Sequence, residues 1–373
     1  MSRISAALAW TWLVGMALTW WGLYTHSETS LPFTVLLYGP RWVVLLPLIL
    51  LVPAALIFAR RALVPLLVGV WIAVMPVMGL RVTPAGFVRD GASRSTQPND
   101  DSIRVLTLNA QGGRSVQQHV DEMIAAYAPS IMAFQECGTE LARQLAAHGD
   151  AGRTAQPAWY FDQYQGLCLL SRWPISARDP MTVATTAPGA PATRRGRRVP
   201  RGSAPFAIRY TIAHPTGPFT LVNLHLETAR KGLEGLLGNE GLLRDDTGLP
   251  DLPRTVETTR FHRNADVRTR ESALAAAWSL RDAGLTPLIV VGDFNMPVES
   301  SIYRTYWRSL TNAFEARGNG FGFTKHEGRW LRIRIDHVLV TPRWFGVQGA
   351  WVAPDVGSDH RPVVVDLIRT SEP

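Results

Sequence analysis

Apolar residues run almost without interruption through the first part of the chain and then break up into short segments separated by polar turns. Three of the early runs, at 6–24, 42–59 and 62–80, are close to the length that a membrane helix needs, which is roughly twenty apolar residues. Prolines inside the later runs kink a membrane helix without forbidding it. The pattern therefore predicts a transmembrane region at 1–80, with about three helices.

Basic residues at the ends of these runs predict the orientation in the membrane. Arg3 precedes the first run, and Arg60 and Arg61 lie between the second and third. Short cytoplasmic loops are enriched in arginine and lysine, so these residues are expected on the cytoplasmic side. The remainder of the chain then faces outward, although four arginines belong to that outer side and bring the charge count close to balance: Arg41, Arg81, Arg89 and Arg94.

Residues 81–101 are rich in proline, glycine, serine and charge, which indicates a solvated linker before a domain at 102–370. In that domain, short β-branched and aliphatic runs alternate with turns. Strands are expected at 103–108, 131–134, 166–170, 206–213, 219–226, 288–291, 335–340 and 363–367, with the fourth and fifth as a hairpin, and helices at 116–127 and 266–283. An excess of strands with some outer helices favours two mixed sheets.

Charge and cysteine content change this picture little. The formal net charge of +8 suits a polyanionic partner such as nucleic acid. However, Lys231 and Lys325 are the only lysines and all other basic residues are arginine, a bias that genomic base composition explains equally well. Cys137 and Cys168 are too few for a disulfide framework and match no metal motif, so we expect buried small hydrophobic residues instead of a redox pair.

Polar side chains recur at or just beyond the ends of six strand-like runs, where neighbouring loops can converge on one point. The segments are LTLNAQ with Asn109, AFQEC with Glu136, VNLHLE with His225, VVGDFN with Asp293 and Asn295, RIDHVLV with Asp336, and GSDHRP with Asp359 and His360. Each segment alone has an ordinary structural explanation, such as a turn or a satisfied buried histidine. Their joint occurrence favours a single site.

The residue types of this set suit the hydrolysis of a phosphate ester. That reaction needs an in-line water, neutralisation of the phosphate oxygens and help for the leaving oxygen. Mg²⁺ is held by carboxylates, carboxamides and water, and Glu136, Asn109 and Asp359 supply such ligands. A Cys/His cluster is missing from the sequence, which disfavours a thiolate zinc site.

The remaining polar residues suggest roles around the reacting phosphate. His360 follows Asp359 directly, and Asp336 is the natural partner to fix its tautomer. Asp293 and Asn295 are two positions apart, so that in an extended segment they can point to the same side and align water against a phosphate oxygen. His225 is a further donor to the phosphate.

The ordered motifs LN, QE, NLHL, GDFN, IDH and SDHRP, together with LLSRWPI, resemble the endonuclease/exonuclease/phosphatase superfamily over nearly all of residues 103–368. The resemblance implies a four-layer α/β sandwich, two central mixed β-sheets flanked by helices, with the site at one end of the sheets. It also implies a Mg²⁺ or Mn²⁺ cofactor. The implied roles are metal ligation for Glu136, Asn109 and Asp359, phosphate binding for His225 and Asn295, water activation for Asp293, and a catalytic His360 oriented by Asp336.

Membrane helices ahead of such a domain, with the run HLETARKGLEGLL, resemble a bacterial subgroup that includes lipid-pyrophosphate phosphatases. This resemblance implies a multi-pass protein of the cell membrane with an extracytoplasmic catalytic domain and a phosphorylated lipid or envelope substrate. Arg230 and Lys231 could then bind a second phosphate, and 229–264 is a candidate substrate-recognition insertion. A membrane-tethered nuclease acting on nucleic acid is the alternative, and an inactive binding module is a more remote one.

Overall fold

The structure is a computed structural model that describes residues 1–83, 102–151, 159–181, 206–233, 254–327 and 330–370. Its first part is entirely helical. It contains α1 (Ser2–His26), α2 (Leu31–Tyr38), α3 (Leu48–Phe58) and α4 (Leu63–Ile72), with 3-10 turns at Arg41–Leu45 and Arg60–Ala62 and a π turn at Ala73–Val77. Residues 1–83 therefore form an N-terminal helical region.

Three segments of this region are long and apolar enough to cross a membrane: Ser2–His26, Arg41–Phe58 and Arg60–Val77. Small residues let the helices touch, since a Cβ added at Gly69 would lie 2.3 Å from the ring of Trp12. Most of the other apolar side chains point outward, as Ile49 and Leu50 do with 69% and 77% of their surface exposed. The three predicted runs fall on these segments, which are compatible with association with a membrane.

The rest of the described chain is built on strands. They are β1 (Ser102–Asn109), β2 (Ile131–Gln135), β3 (Tyr160–Tyr164), β4 (Leu167–Ser171), β5 (Ile175–Met181), β6 (Ala207–Ile212), β7 (Phe219–His225), β8 (Leu288–Asp293), β9 (Thr311–Asn312), β10 (Lys325–Glu327), β11 (Leu331–Ile333), β12 (Asp336–Val340), β13 (Phe345–Val352) and β14 (Val363–Arg369). One sheet has the order β13-β14-β1-β2-β4-β3 and the other β5-β6-β7-β8-β12-β9, while β10 and β11 pair separately. Each large sheet contains one parallel pair, β1 with β2 and β7 with β8, so both sheets are mixed.

Helices cover the outer faces of the two sheets. They are α5 (Val120–Tyr127), α6 (Thr139–Ala151), α7 (Arg230–Leu233), α8 (Arg254–Leu280), α9 (Ser301–Tyr306) and α10 (Ala313–Arg317). One apolar core lies between the sheets, where Val105 and Leu221 are buried. Met123 packs against the outside of the first sheet, and Ala275 against the outside of the second. This arrangement confirms the predicted four-layer α/β sandwich.

Several contacts join the N-terminal region to the sandwich, and three of them lie at the ends of the apolar segments. Glu28, just after α1, forms a fully buried ion pair with Arg268 of α8 at 2.6 Å. Arg41, at the start of the second apolar segment, pairs with Glu299 at 2.9 Å. After the third segment, the backbone N–H of Arg81 donates to a carbonyl of the sandwich. These three ends of the apolar segments therefore lie on one side, against the sandwich.

Two segments differ from the sequence-based expectations. The helix predicted at 266–283 begins earlier, at Arg254. The sequence pattern did not reveal its first turns, because they are polar and carry no apolar period. Part of the 229–264 segment is thus helical in α7 and α8, while 234–253 lies outside the described residues. The linker was predicted from residue 81, but Thr83 still binds Asn319 at 2.8 Å. Residues 84–101 lie outside the described part of the chain.

The two cysteines form a disulfide between Cys137 and Cys168. Both are buried, as expected, but the expectation that they are unpaired is wrong. Strand β2 pairs with β4 so that Phe134 is opposite Cys168, and the N–H of Cys137 bonds to the carbonyl of Gly166. This local register brings the two side chains together, and sequence spacing alone does not reveal it.

Candidate active site

Register across three neighbouring strands places the central polar residues side by side. The parallel pairing of β7 with β8 sets His225 opposite Asp293, and the antiparallel pairing of β12 with β8 sets Asp336 opposite the same Asp293. Gly292 precedes the aspartate with a φ of +134°, and a Cβ there would meet the carbonyl oxygen of Leu224 at 2.0 Å. The GDFN motif thus needs its glycine for the close approach of β7 and β8.

Asn109 and Glu136 extend this row from the other sheet. The Asn109 amide donates to Glu136 Oε1 and to Asp293 Oδ2, each at 3.0 Å, so it bridges the two sheets. His225 Nε2 lies 3.8 Å from the same Glu136 oxygen and 3.7 Å from Asp293 Oδ2. Asp293 is almost fully buried, whereas the Glu136 side chain is 44% exposed. The structure therefore brings together four of the predicted residues.

His360 and Asp336 form the buried side of the site. His360 Nδ1 lies 2.8 Å from Asp336 Oδ2, and its Nε2 lies 3.8 Å from Asp293 Oδ2. The other carboxylate oxygen of Asp336 is buried and has no hydrogen-bond partner. Thr324 supports the pair because its hydroxyl accepts the N–H of Asp336 at 3.2 Å. A tautomer with the proton on Nδ1 leaves Nε2 directed at Asp293 and the cavity.

Burial and charge set the protonation of this cluster. Burial, followed by the nearby Asp336 carboxylate, raises the pKa of Asp293. Burial opposes the charged form of His360, but the carboxylates of Asp336 and Asp293 outweigh it and raise its pKa to about 9. Burial also opposes ionisation of Asp336, yet His360 lowers the pKa of that carboxyl group. Asp293 is thus the carboxylate of the cluster with the greatest tendency to hold a proton.

Lys325 is a site residue that the motif search missed. Its Nζ lies 2.5 Å from Asp359 Oδ2 and 3.1 Å from His360 Nε2. Burial opposes its charge, but Asp359 raises the pKa of Lys325, so it remains an ammonium. The available signal was its identity as one of only two lysines, ten residues before the IDH motif. Because Asp359 is paired with Lys325, it could join a metal with Glu136 only by giving up part of that ion pair.

The remaining predicted residues lie at the edge of the site. The Asn295 side chain donates to the carbonyl of Leu226 at 2.8 Å, which secures the loop after β7. Arg230 lies 3.7 Å from Glu327, and Lys231 forms an ion pair with Glu227 at 2.8 Å. Both cations line the cavity but already have acidic partners there. His337 lies outside the site, where it is buried and bonds to the carbonyl of Met296.

The site residues predicted from the sequence, except Asp336, line one open cavity of about 560 Å³, and Lys325 lines it as well. Four of the five described non-glycine residues with a positive φ line it too, namely Gln111, Glu136, Gln165 and Asn295. Such conformations are unfavourable for side-chain-bearing residues and concentrate at functional sites.

The donor set suits a hard divalent cation. Asp293, Asp336 and His360 offer ligand atoms that all lie within 4.8 Å of one another. Glu136 adds a carboxylate that is open to the cavity, and the partnerless oxygen of Asp336 is a further acceptor. Oxygen and imidazole ligands without thiolate match Mg²⁺ or Mn²⁺.

Two mixed sheets flanked by helices, with an acid and histidine cluster at one edge, define the fold class of metal-assisted nucleases and phosphatases. The chain belongs to the Endonuclease/Exonuclease/phosphatase family, whose sequence model matches residues 106–360. Members of this family are hydrolytic phosphoesterases or nucleases and generally use divalent metals. A comparison with curated proteins finds no match.

Several solved structures are similar to this chain at low sequence identity. The human Nocturnin catalytic domain with bound sulfate is 18% identical, covers 74% of this chain and 96% of its own, and has a TM-score of 0.47. The 3'-5' exonuclease NExo from Neisseria meningitidis is 16% identical, with coverages of 70% and 98% and a TM-score of 0.47. A conserved protein of unknown function from Enterococcus faecalis V583 is 14% identical, with coverages of 72% and 100% and a TM-score of 0.46.

Proposed function

We propose that the protein is a membrane-anchored, divalent-metal-dependent phosphoesterase that cleaves a phosphate ester or pyrophosphate bond of a lipid or cell-envelope substrate. The observation that carries this proposal is that the N-terminal helical region and the sandwich line the same cavity. Tyr38, which lies between the first two apolar segments, lines the same cavity as Asp293 and His360. Leu233 and Leu331 pack beside Tyr38 and line it as well. A substrate with a phosphate and an apolar chain fits such a wall better than a polar polymer does.

A metal held by Glu136, with Asn109 beside it, would neutralise phosphate oxygens and polarise the bond to be cleaved. The protein groups supply the rest of the chemistry. Asp293 orients the attacking water and accepts its proton, for which its raised pKa is suited. His225, Lys325 and His360 surround the cavity with groups that stabilise charge on the phosphate. Asp336 holds the His360 ring in place through Nδ1.

Two features support an extracytoplasmic catalytic domain. Disulfides persist mainly in oxidising compartments outside the cytoplasm, and Cys137 is bonded to Cys168. The second feature concerns the arginines on the predicted outer side, which weaken the positive-inside prediction, since two of them have acidic partners. Arg41 is paired with Glu299 and Arg81 with Glu315, so neither is an uncompensated loop charge.

Purified full-length protein should be assayed against a lipid pyrophosphate, a phospholipid, an inositol phosphate and DNA, with Mg²⁺ or Mn²⁺ and then with chelator. We expect metal-dependent release of phosphate from a lipid. The Asp293→Ala variant should be inactive, and Asp266→Ala, which alters an exposed aspartate of α8 away from the cavity, should match the wild type. Equal activity in Asp293→Ala or in chelator would overturn the proposed chemistry.

The same panel decides between the proposed function and its alternatives. Preference for DNA over every lipid would establish the tethered nuclease instead. Binding without turnover of any substrate in either metal would favour an inactive module. A topology reporter fused after Pro373 tests the orientation separately, because activity of that reporter only in the cytoplasm would refute an outward-facing domain.

A further inference from the structure

A second cavity of about 330 Å³ lies where the N-terminal helical region meets the sandwich. Its membrane-region lining comes from the ends of two apolar segments, with Trp42 at the start of the second and Met78 just after the third. Its sandwich lining comes from Phe321, Phe323 and Trp330. If the apolar segments cross a bilayer, the ends of the segments place this cavity at the level of the lipid headgroups.

The hairpin of β10 and β11 lies between this cavity and the active-site cavity, and Ile333 lines both. Lys325 is opposite Ile333 and Glu327 is opposite Leu331, so these four side chains share one face, and all four line the active-site cavity. Arg332 alternates to the other face and lines the second cavity. A ligand on the reverse face would therefore rest against the same short hairpin that carries Lys325 into the site.

The aromatic lining of the second cavity is open and matches a membrane interface. Trp330 is 62% exposed and Trp42 is 38% exposed, and their ring centroids lie 5.8 Å apart. Phe321 and Phe323 stack with centroids 5.2 Å apart. Tryptophan is enriched at the headgroup level of membranes, where an amphipathic ring has both apolar and polar neighbours.

The charged lining favours an anion. Arg41, Arg332 and Arg334 contribute three positive charges to the cavity, against one carboxylate from Glu299. Arg41 pairs with Glu299, and Arg334 with Glu315. Arg332 is exposed and forms no ion pair with any residue in the described part of the chain. Among the arginines described in this lining, Arg332 therefore offers a guanidinium that is available for a phosphate.

We propose that this second cavity binds an anionic phospholipid, with the lipid phosphate on Arg332 and the first part of its chains against Trp42 and Trp330. The bound lipid is distinct from the substrate, whose reacting phosphate occupies the active-site cavity. It packs on the reverse face of the hairpin and so supports the position of Lys325. This inference rests on the proposed membrane location, and it is independent of the reaction.

The test measures lipid binding and not turnover. Full-length protein in detergent is titrated with phosphatidylglycerol or phosphatidylcholine, and retained lipid is counted by native mass spectrometry. We expect preferential retention of phosphatidylglycerol by the wild type. Arg332→Gln should weaken it about tenfold or more, as loss of a charge-assisted hydrogen bond implies. Arg332→Lys should keep the preference, and Arg143→Gln, at an exposed position on α6, should equal the wild type.

A second measurement locates the lipid. Phosphatidylglycerol with brominated chains should quench tryptophan fluorescence more strongly in the wild type than in Trp330→Phe. Equal retention by Arg332→Gln and Arg143→Gln, no preference over phosphatidylcholine, or identical quenching in Trp330→Phe would overturn the inference. If the wild type retains phosphatidylglycerol preferentially but hydrolyses no lipid phosphate, only the proposed function is refuted. Hydrolysis with unaltered lipid retention by Arg332→Gln would refute only this inference.

Discussion

The two halves of the active site differ in how the fold holds them. His225, Asp293 and Asp336 stand at matching positions on three paired strands, and Asp293 and Asp336 are buried. Glu136 and Asp359 lie beyond strand ends, with side chains 44% and 32% exposed. The first half has its geometry fixed by backbone register, whereas the second half can adjust. We infer that the buried half sets the rate of chemistry and that the exposed half sets the affinity for metal and phosphate.

Asp293→Asn should have the largest effect, because it removes the carboxylate at the centre of the buried half while keeping the side-chain volume. The rate should fall by roughly 10³-fold or more, as for other residues that act directly in proton transfer and charge stabilisation. Raising the metal concentration should not restore it. Steady-state kinetics across a Mg²⁺ titration measure this, and recovery at high metal would contradict the assignment of Asp293 to chemistry.

Glu136→Gln tests the exposed half in the same assay. It should lower activity by about 10²-fold or more at low metal, since loss of even an outer-shell partner of a metal ligand typically costs 10- to 100-fold in affinity or activity. In contrast to Asp293→Asn, activity should recover substantially as the metal concentration rises. Isothermal titration with Mn²⁺ gives the affinity directly. If Glu136→Gln loses activity at all metal concentrations without weaker binding, the division between the two halves is wrong.

Lys325→Met probes the contact between the halves, since its ammonium touches both Asp359 and His360. We expect a loss of about tenfold, in the range of a single charge-assisted hydrogen bond. The loss should appear chiefly in KM, because Lys325 would bind a ground-state phosphate as well as a transition state. Lys325→Arg should restore part of the loss. If Lys325→Met changes kcat alone, Lys325 belongs with the buried half, which sets the rate of chemistry.

Cys137→Ser combined with Cys168→Ser should have the smallest effect on turnover. The disulfide holds the chain directly after Glu136, so its loss loosens the exposed half and should raise the metal requirement a few-fold. Stability should fall by about 2–4 kcal/mol, as for other native disulfides. Thermal unfolding and the metal titration measure the two effects. An unchanged unfolding temperature would show that the link does not constrain this loop.

Sequence patterns predicted what each strand contributes, but not how the strands align. The LN, QE, NLHL, GDFN, IDH and SDH segments were assigned to one site because polar residues end apolar runs. The structure brings their polar side chains around one cavity, except that Asp336 lies behind His360. His225 and Asp336 lie opposite Asp293 because of the register in which their strands pair. Register depends on long-range pairing, which the local pattern does not encode.

Elements without a regular apolar period were the ones that sequence analysis missed. The short helix α2 lies between two membrane runs, and the first turns of α8 are polar. Lys325 sits on a three-residue strand in a separate two-stranded sheet, too short for any alternation to be visible. The pairing of Cys137 with Cys168 depends on the β2–β4 register. In each case tertiary contacts supply the information that is absent locally.

Glu28, Arg41 and Arg81 each make a contact that holds the N-terminal region against the sandwich. These contacts fix the distance between the apolar segments and the candidate active site. In a bilayer, the catalytic centre could then neither tumble nor rise far from the surface. Substrate would arrive by lateral diffusion in two dimensions, and the relevant concentration would be its mole fraction in the leaflet. Diluting the membrane with inert lipid would slow turnover even when the bulk amounts of enzyme and substrate stay constant.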